Sequence, residues 1–182
     1  MHRLRHLFIG VVVLAGLSMA ATAQQPDRTL SVPEFLAISG SWLTLQRQVS
    51  VRVQREAPHP EARQFAKDSG ARLNELAAKI ASFAASKNSA VPDALPLQHR
   101  AVLEALEPLA GEELSRHYGE MQEQAWDQAV RFTRLAAERG DDPDLKAFAA
   151  GLKPDCEENL ERARAAMALL ALQTREAPAR RP

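Results

Sequence analysis

The sequence predicts an all-α fold, an antiparallel up-down bundle of four long helices with a short extra helix between the second and the third. Three observations carry this. Apolar residues recur at steps of three and four in every long window. No window alternates apolar and polar residues with the β-branched enrichment of a strand. Pro, Gly and capping residues punctuate the chain where long helices would begin and end. The length of 182 residues fits one domain, and adjacent helices are expected to cross at about 20°.

The first long helix opens at Ser31-Val32-Pro33-Glu34, an N-cap, an early Pro and a capping-box Glu. Its apolar stripe is Phe35, Ile38, Trp42, Leu45, Val49 and Val53, and Pro58 and Pro60 end it near Glu56. The second starts at Pro60-Glu61 and carries Phe65, Ser69, Leu73, Leu76, Ile80 and Phe83, close to a heptad seam. "KNSAVPDALP" closes it, and a short helix over 97–106 bridges to the third. The third long helix runs over 111–139, with Leu114, Tyr118, Met121, Ala125, Phe132 and Leu135 inward and Gly140 just past its end. The fourth opens with Asp142 as N-cap and Pro143 in its first turn. Pro154 is expected to break it into a piece ending near Gly151 and a main helix over 154–173.

Residues 1–23 read as a cleaved signal peptide: a positive start with Arg3 and Arg5, an apolar run from Leu7 to Leu17, and the Ala21-Thr22-Ala23 cleavage signal. The apolar run is short for a spanning helix, no transmembrane helix is expected in the mature chain, and the expected location is the periplasm. Residues 24–31 read as a linker, 32–173 as the bundle domain and 174–182 as a disordered basic tail. The mature chain then holds 21 basic and 23 acidic residues, without the basic stripe that a nucleic-acid partner demands. Cys156 is the only cysteine, so the chain has no internal disulfide, and its helical neighbours make it a small core residue.

Catalytic signatures are absent. His59, His99 and His117 of the mature chain pair at no ligand spacing with one another or with Cys156, and no Glu-x-x-His occurs there. Glu120, Glu123 and Asp127, and Glu157, Glu158 and Glu161, read as solvated faces paired with basic residues one turn away. No glycine-rich phosphate loop, no G-x-S-x-G and no calcium loop is present.

The order and spacing of "VPEFLAISGSWL", "EARQFAKDSG", "AVP", "LAGEELSRHYGEMQEQAWDQAV", "DDPDLKAFAAGLKP" and "ENLERARA" resemble those of an exported bacterial family known as domain of unknown function 4142. The resemblance spans about residues 32–170. It implies a ferritin-like bundle, and some of the family's proteins are labelled outer-membrane proteins. It also implies a Glu on the first helix, an Asp-His pair on the second, and a His on the third and on the fourth, which suit a metal or a small ligand. Alignment by flanking residues puts these positions on Gln46, Arg72-Leu73, Trp126 and Asn159, with Asp68-Ser69 as the alternative register for the pair. All five positions are substituted. An amide is a poor transition-metal ligand, Leu73 and Trp126 ligate nothing, and Arg72 places a fixed positive charge where a cation would sit.

The reading is therefore a non-enzymatic exported bundle, a binding or envelope-stress module with a degenerate metal site and neither cofactor nor catalytic residue. One alternative is a metal or redox protein using the shifted ligands Glu120, Glu123 and His117. Another is a structural envelope protein that meets a membrane or a protein partner through exposed apolar surface at Trp42 or Trp126. Gln46, Arg72 and Asn159 are expected to converge between the first, second and fourth helices, with Arg72 donating to one of the amides and Trp126 closing the region. The competing expectation is that Arg72 snorkels outward.

Overall fold

A computed structural model of the chain describes residues 28–176, with side chains through Leu169. The signal peptide, most of the linker and the residues after Glu176 lie outside the described residues. The fold is all-α: α1 (Val32–Glu56), α2 (Pro60–Ser86), α3 (Leu97–Leu106), α4 (Gly111–Arg139) and α5 (Pro143–Glu176).

The capping chemistry forms as the residues dictate. Ser31 N donates to Glu34 Oε2 at 3.0 Å and Glu34 N donates to Ser31 Oγ at 3.4 Å, which satisfies two orphan donors of α1. The Ser31 backbone N–H, ahead of the Ser31 hydroxyl and Arg28, holds the Glu34 carboxyl at about 2. At the far end of α1, Arg63 Nη1 donates to Ala57 O at 2.7 Å and to Pro58 O at 2.8 Å. Asp142 Oδ1 accepts from Asp144 N at 2.7 Å and caps α5.

The expected break in the last helix does not occur: α5 is continuous through Pro154. Pro154 has no N–H to give Ala150 O, but both residues lie on the exposed face, where water serves that carbonyl. Meanwhile Leu145, Ala149, Leu152, Cys156, Leu160 and Ala163 keep one buried stripe in phase across the proline. Burial of that stripe outweighs the lost hydrogen bond.

Two apolar clusters form the core. In the first, the Phe35 ring stacks on Phe132 at 5.4 Å and meets the edge of Phe83 at 6.3 Å, while Phe83 stacks on Phe148 at 4.3 Å. The start of α1 thus meets the ends of α2 and α4 and the start of α5. In the second, Val49 and Val53 near the end of α1 meet Ala62 and Ala66 at the start of α2, and Leu114 and Tyr118 at the start of α4. Two stripe expectations are corrected: Ile38 is 46% exposed and Leu135 is 41% exposed. The inward face of α1 instead takes Leu36, Leu43, Gln46 and Ser50, and that of α4 takes Gln122, Trp126 and Thr133.

After α2 the chain crosses over α1 at Gly40, where a Cβ would sit 2.1 Å from Pro92 O, so no other residue fits. That crossing lays α3 beside α1. Arg52 then holds it: Nη1 donates to Leu106 O at 2.7 Å and Nη2 to Leu109 O at 2.7 Å, a cation on the carbonyl end of α3. Among the described residues there is no strand, only an isolated parallel bridge between Leu30 and Gly140, with Leu30 N donating to Arg139 O and Asp141 N to Leu30 O.

Candidate functional site

Three layers of polar and aromatic side chains sit between α1 and α4. Trp42, Gln46 and Ser50 follow one another at steps of four on α1, as Tyr118, Gln122 and Trp126 do on α4, and the two series meet in opposite order. Trp42 meets Trp126 edge to face at 5.1 Å. Gln122 Nε2 donates to Gln46 Oε1 at 2.7 Å. Ser50 Oγ and Tyr118 OH share a hydrogen bond of 2.9 Å. Gln46, Gln122, Ser50, Tyr118 and Trp126 are all buried, and Trp42 is half-buried. Burial pushes the Tyr118 hydroxyl up to about 12, so it stays a neutral hydrogen-bonding group. Gln122 Oε1 and Trp42 Nε1 are buried without a protein partner.

The five positions singled out by resemblance do not form one site. Gln46 and Trp126 lie in these layers, but the residue that faces Gln46 is Gln122, one turn from Trp126. Leu73 is in the main apolar cluster. The expected convergence of Arg72 on Gln46 and Asn159 is overturned. Arg72 is half-buried, with Nη1 3.9 Å from Glu158 Oε1, because its charge keeps water and a carboxylate by reaching to the rim. Asn159 Nδ2 donates to Asp155 O at 2.7 Å, so the amide beside the apolar face of α5 is satisfied by its own helix. Trp126 is buried, so the expected exposed apolar surface is absent there.

The shifted ligand set is dispersed among ion pairs. His117 Nδ1 lies 3.7 Å from Glu120 Oε2, and Glu123 Oε1 lies 3.4 Å from Arg164 Nε. Among the described residues no three His, Cys, Asp or Glu side chains come together to hold a metal ion, and no helix is long and apolar enough to cross a membrane.

Cys156 is a buried free thiol, and burial pushes it up to about 12, against a smaller lowering contribution from Thr133 on α4. With so little thiolate, it is expected to resist a maleimide in native buffer at pH 8 and to label at once in denaturant. Prompt stoichiometric labelling of the native protein would contradict this packing.

Gln122 escapes the sequence reading because it interrupts an apolar stripe. The one signal for it is its place four residues after Tyr118 and four before Trp126, on the same helical face.

Comparison with known proteins follows the fold. A crystal structure of a DUF305 protein from Streptomyces coelicolor, described as secreted, superposes with a TM-score of 0.57 at 14% identity, over 78% of this chain and 94% of that one. No curated protein matches the sequence. A family model matches residues 17–166, most of the length, and on that match the chain belongs to the family described as Domain of unknown function (DUF4142).

Proposed function

We propose that the protein is an exported, non-enzymatic helical module, a binding or envelope-stress protein on a ferritin-like up-down four-helix scaffold, whose metal centre has been replaced by amide and aromatic packing. Opposite running of neighbouring helices supports the scaffold: Phe35 on Phe83 and Phe132, and the reversed order of the α1 and α4 layers. The secreted description of the structural neighbour and the Ala21-Thr22-Ala23 signal support export to the periplasm.

The observation that carries the reading is the Gln46–Gln122 pair at 2.7 Å between a tryptophan layer and a tyrosine–serine layer. A resident Fe, Mn or Zn ion needs carboxylate, imidazole or thiolate donors. This layer offers two amides bonded to each other, which do not fit such an ion. Buried amides left unpaired cost about 1–3 kcal/mol each, so the bond from Gln122 Nε2 to Gln46 Oε1 serves the fold by pairing one buried donor with one buried acceptor.

The test is purification from the periplasmic fraction. The expected product begins at Gln24 and carries well under one equivalent of Fe, Mn or Zn after dialysis. Membrane-bound material with Met1 intact would refute export. Stoichiometric metal that survives dialysis would refute the degenerate centre.

A further inference from the structure

The end of α5 rests on α4 through a sulfur. Gly119 of α4 is buried, and a Cβ there would overlap Met167 Sδ and lie 3.2 Å from Met167 Cγ and 3.5 Å from Cε. The notch left by the missing side chain is filled by the thioether. Arg164 Nε lies 3.4 Å from Glu123 Oε1, one turn away on each helix, in the same antiparallel register.

Little else holds this end. The buried stripe of α5 stops at Ala163. Among the described side chains beyond it, Ala166 and Met167 are half-buried, and Arg164, Ala165, Ala168 and Leu169 are exposed. The ion pairs of Arg164 are exposed and add little. Outside residues 1–23, sulfur occurs at Met121, Cys156 and Met167. Cys156 is a buried thiol, poorly placed to meet an oxidant. Met121 lies two residues past Gly119, on the opposite face of α4, against the second apolar cluster. Met167 alone joins a sulfur open in part to water with a contact that a helix end depends on.

We propose that Met167 is a reversible oxidation site for peroxide-class oxidants, and that its sulfoxide releases the end of α5 from α4. A lone pair of Sδ attacks one peroxide oxygen. The S–O bond forms as the O–O bond breaks, and the departing hydroxide takes the proton of the transferred oxygen and leaves as water. The sulfur is oxidised and the peroxide reduced. The notch holds a bare thioether, without space for a further oxygen. The polar S–O group also needs hydrogen-bond donors, which the Gly119 face, its N–H bonded within α4, does not supply. The sulfoxide therefore turns to water, and the end of α5 loses its apolar anchor. This deepens the envelope-stress reading by naming an oxidant as the stress. The experiment requires neither export nor an empty metal centre, so each fails alone.

Hydrogen peroxide added to the purified mature protein tests it, read by peptide mass spectrometry and amide hydrogen exchange. One added oxygen on Met167 is expected. Exchange over 164–169 should then speed up about tenfold or more, with the rest of the bundle unchanged. A methionine sulfoxide reductase is expected to restore the original rates. M121L, in which Met167 is the one methionine outside residues 1–23, should respond as the native chain does. M167L should keep its rates through the treatment. The proposal is overturned if Met167 resists oxidation in the folded protein, or if exchange over 164–169 is already unprotected before peroxide. It is equally overturned if oxidised Met167 leaves those rates unchanged, if the whole bundle loosens, if the reductase restores nothing, or if M167L responds as the native chain does.

Discussion

Phe35→Ala is expected to destabilise the protein by about 3–5 kcal/mol, read as a lower denaturation midpoint with an unchanged slope. Phe35 is buried where α1, α2, α4 and α5 come together. Its ring stacks on Phe132 at 5.4 Å and meets the edges of Phe83 at 6.3 Å and Phe148 at 6.1 Å. The lost apolar transfer is only part of the cost. Phe83 and Phe148 are already stacked on each other at 4.3 Å, so neither is free to fill the hole, and the cavity persists. A loss below about 1 kcal/mol would mean that the four helices close without this ring.

Trp126→Ala carries a similar expected cost, about 3–5 kcal/mol, with a different signature. Its indole is buried on α4, while its partner Trp42 is only half-buried. Truncation removes the edge-to-face pair and leaves Trp42 against a void, so the remaining tryptophan emission should move to the red. A double-mutant cycle with Trp42→Ala is expected to return a coupling of about 0.5–1.5 kcal/mol for the aromatic pair. Additive effects, or emission from Trp42 that does not move, would show that the two rings do not depend on each other.

Helix ends were legible in the sequence because their signals are local. The Ser31 capping box, Pro60, Asp142 and Gly140 each act within a turn of themselves, and each marks the end of a helix here. Facing was legible only where the inward residues are apolar. On α2 the stripe from Leu73 through Phe83 is buried as its spacing predicts. On α1 and α4 the inward face is interrupted by Gln46, Ser50, Gln122 and Thr133, and periodicity counts such residues as outward. For Gln46, Ser50 and Gln122 the reason for being inside is a partner on another helix, 76 residues away in the case of Gln46 and Gln122, and no local pattern encodes it, whereas Thr133 donates to Ala129 O and Val130 O of its own helix. Pro154 misleads for a related reason. Its cost depends on whether Ala150 faces water, which tertiary packing decides. The resemblance places Arg72 and Asn159 in the interior, yet a carboxylate at the rim meets Arg72 and a carbonyl of its own helix satisfies Asn159.

The bridge between Leu30 and Gly140 bears on the kinetics of folding. The pairing joins the residue just before α1 to the turn between α4 and α5, so it closes most of the chain into a loop. Ribosomal synthesis supplies Leu30 early and its partner late. The short connection between α1 and α2 leaves them free to pair at once, but the first turn of α1 lacks its clamp until α4 and the start of α5 are in place. Loop-closure entropy must then be spent before that contact returns anything. The step that seats Leu30 is therefore expected late on the folding route. Until it is taken, Leu30 and the turn at Gly140 stay open to water.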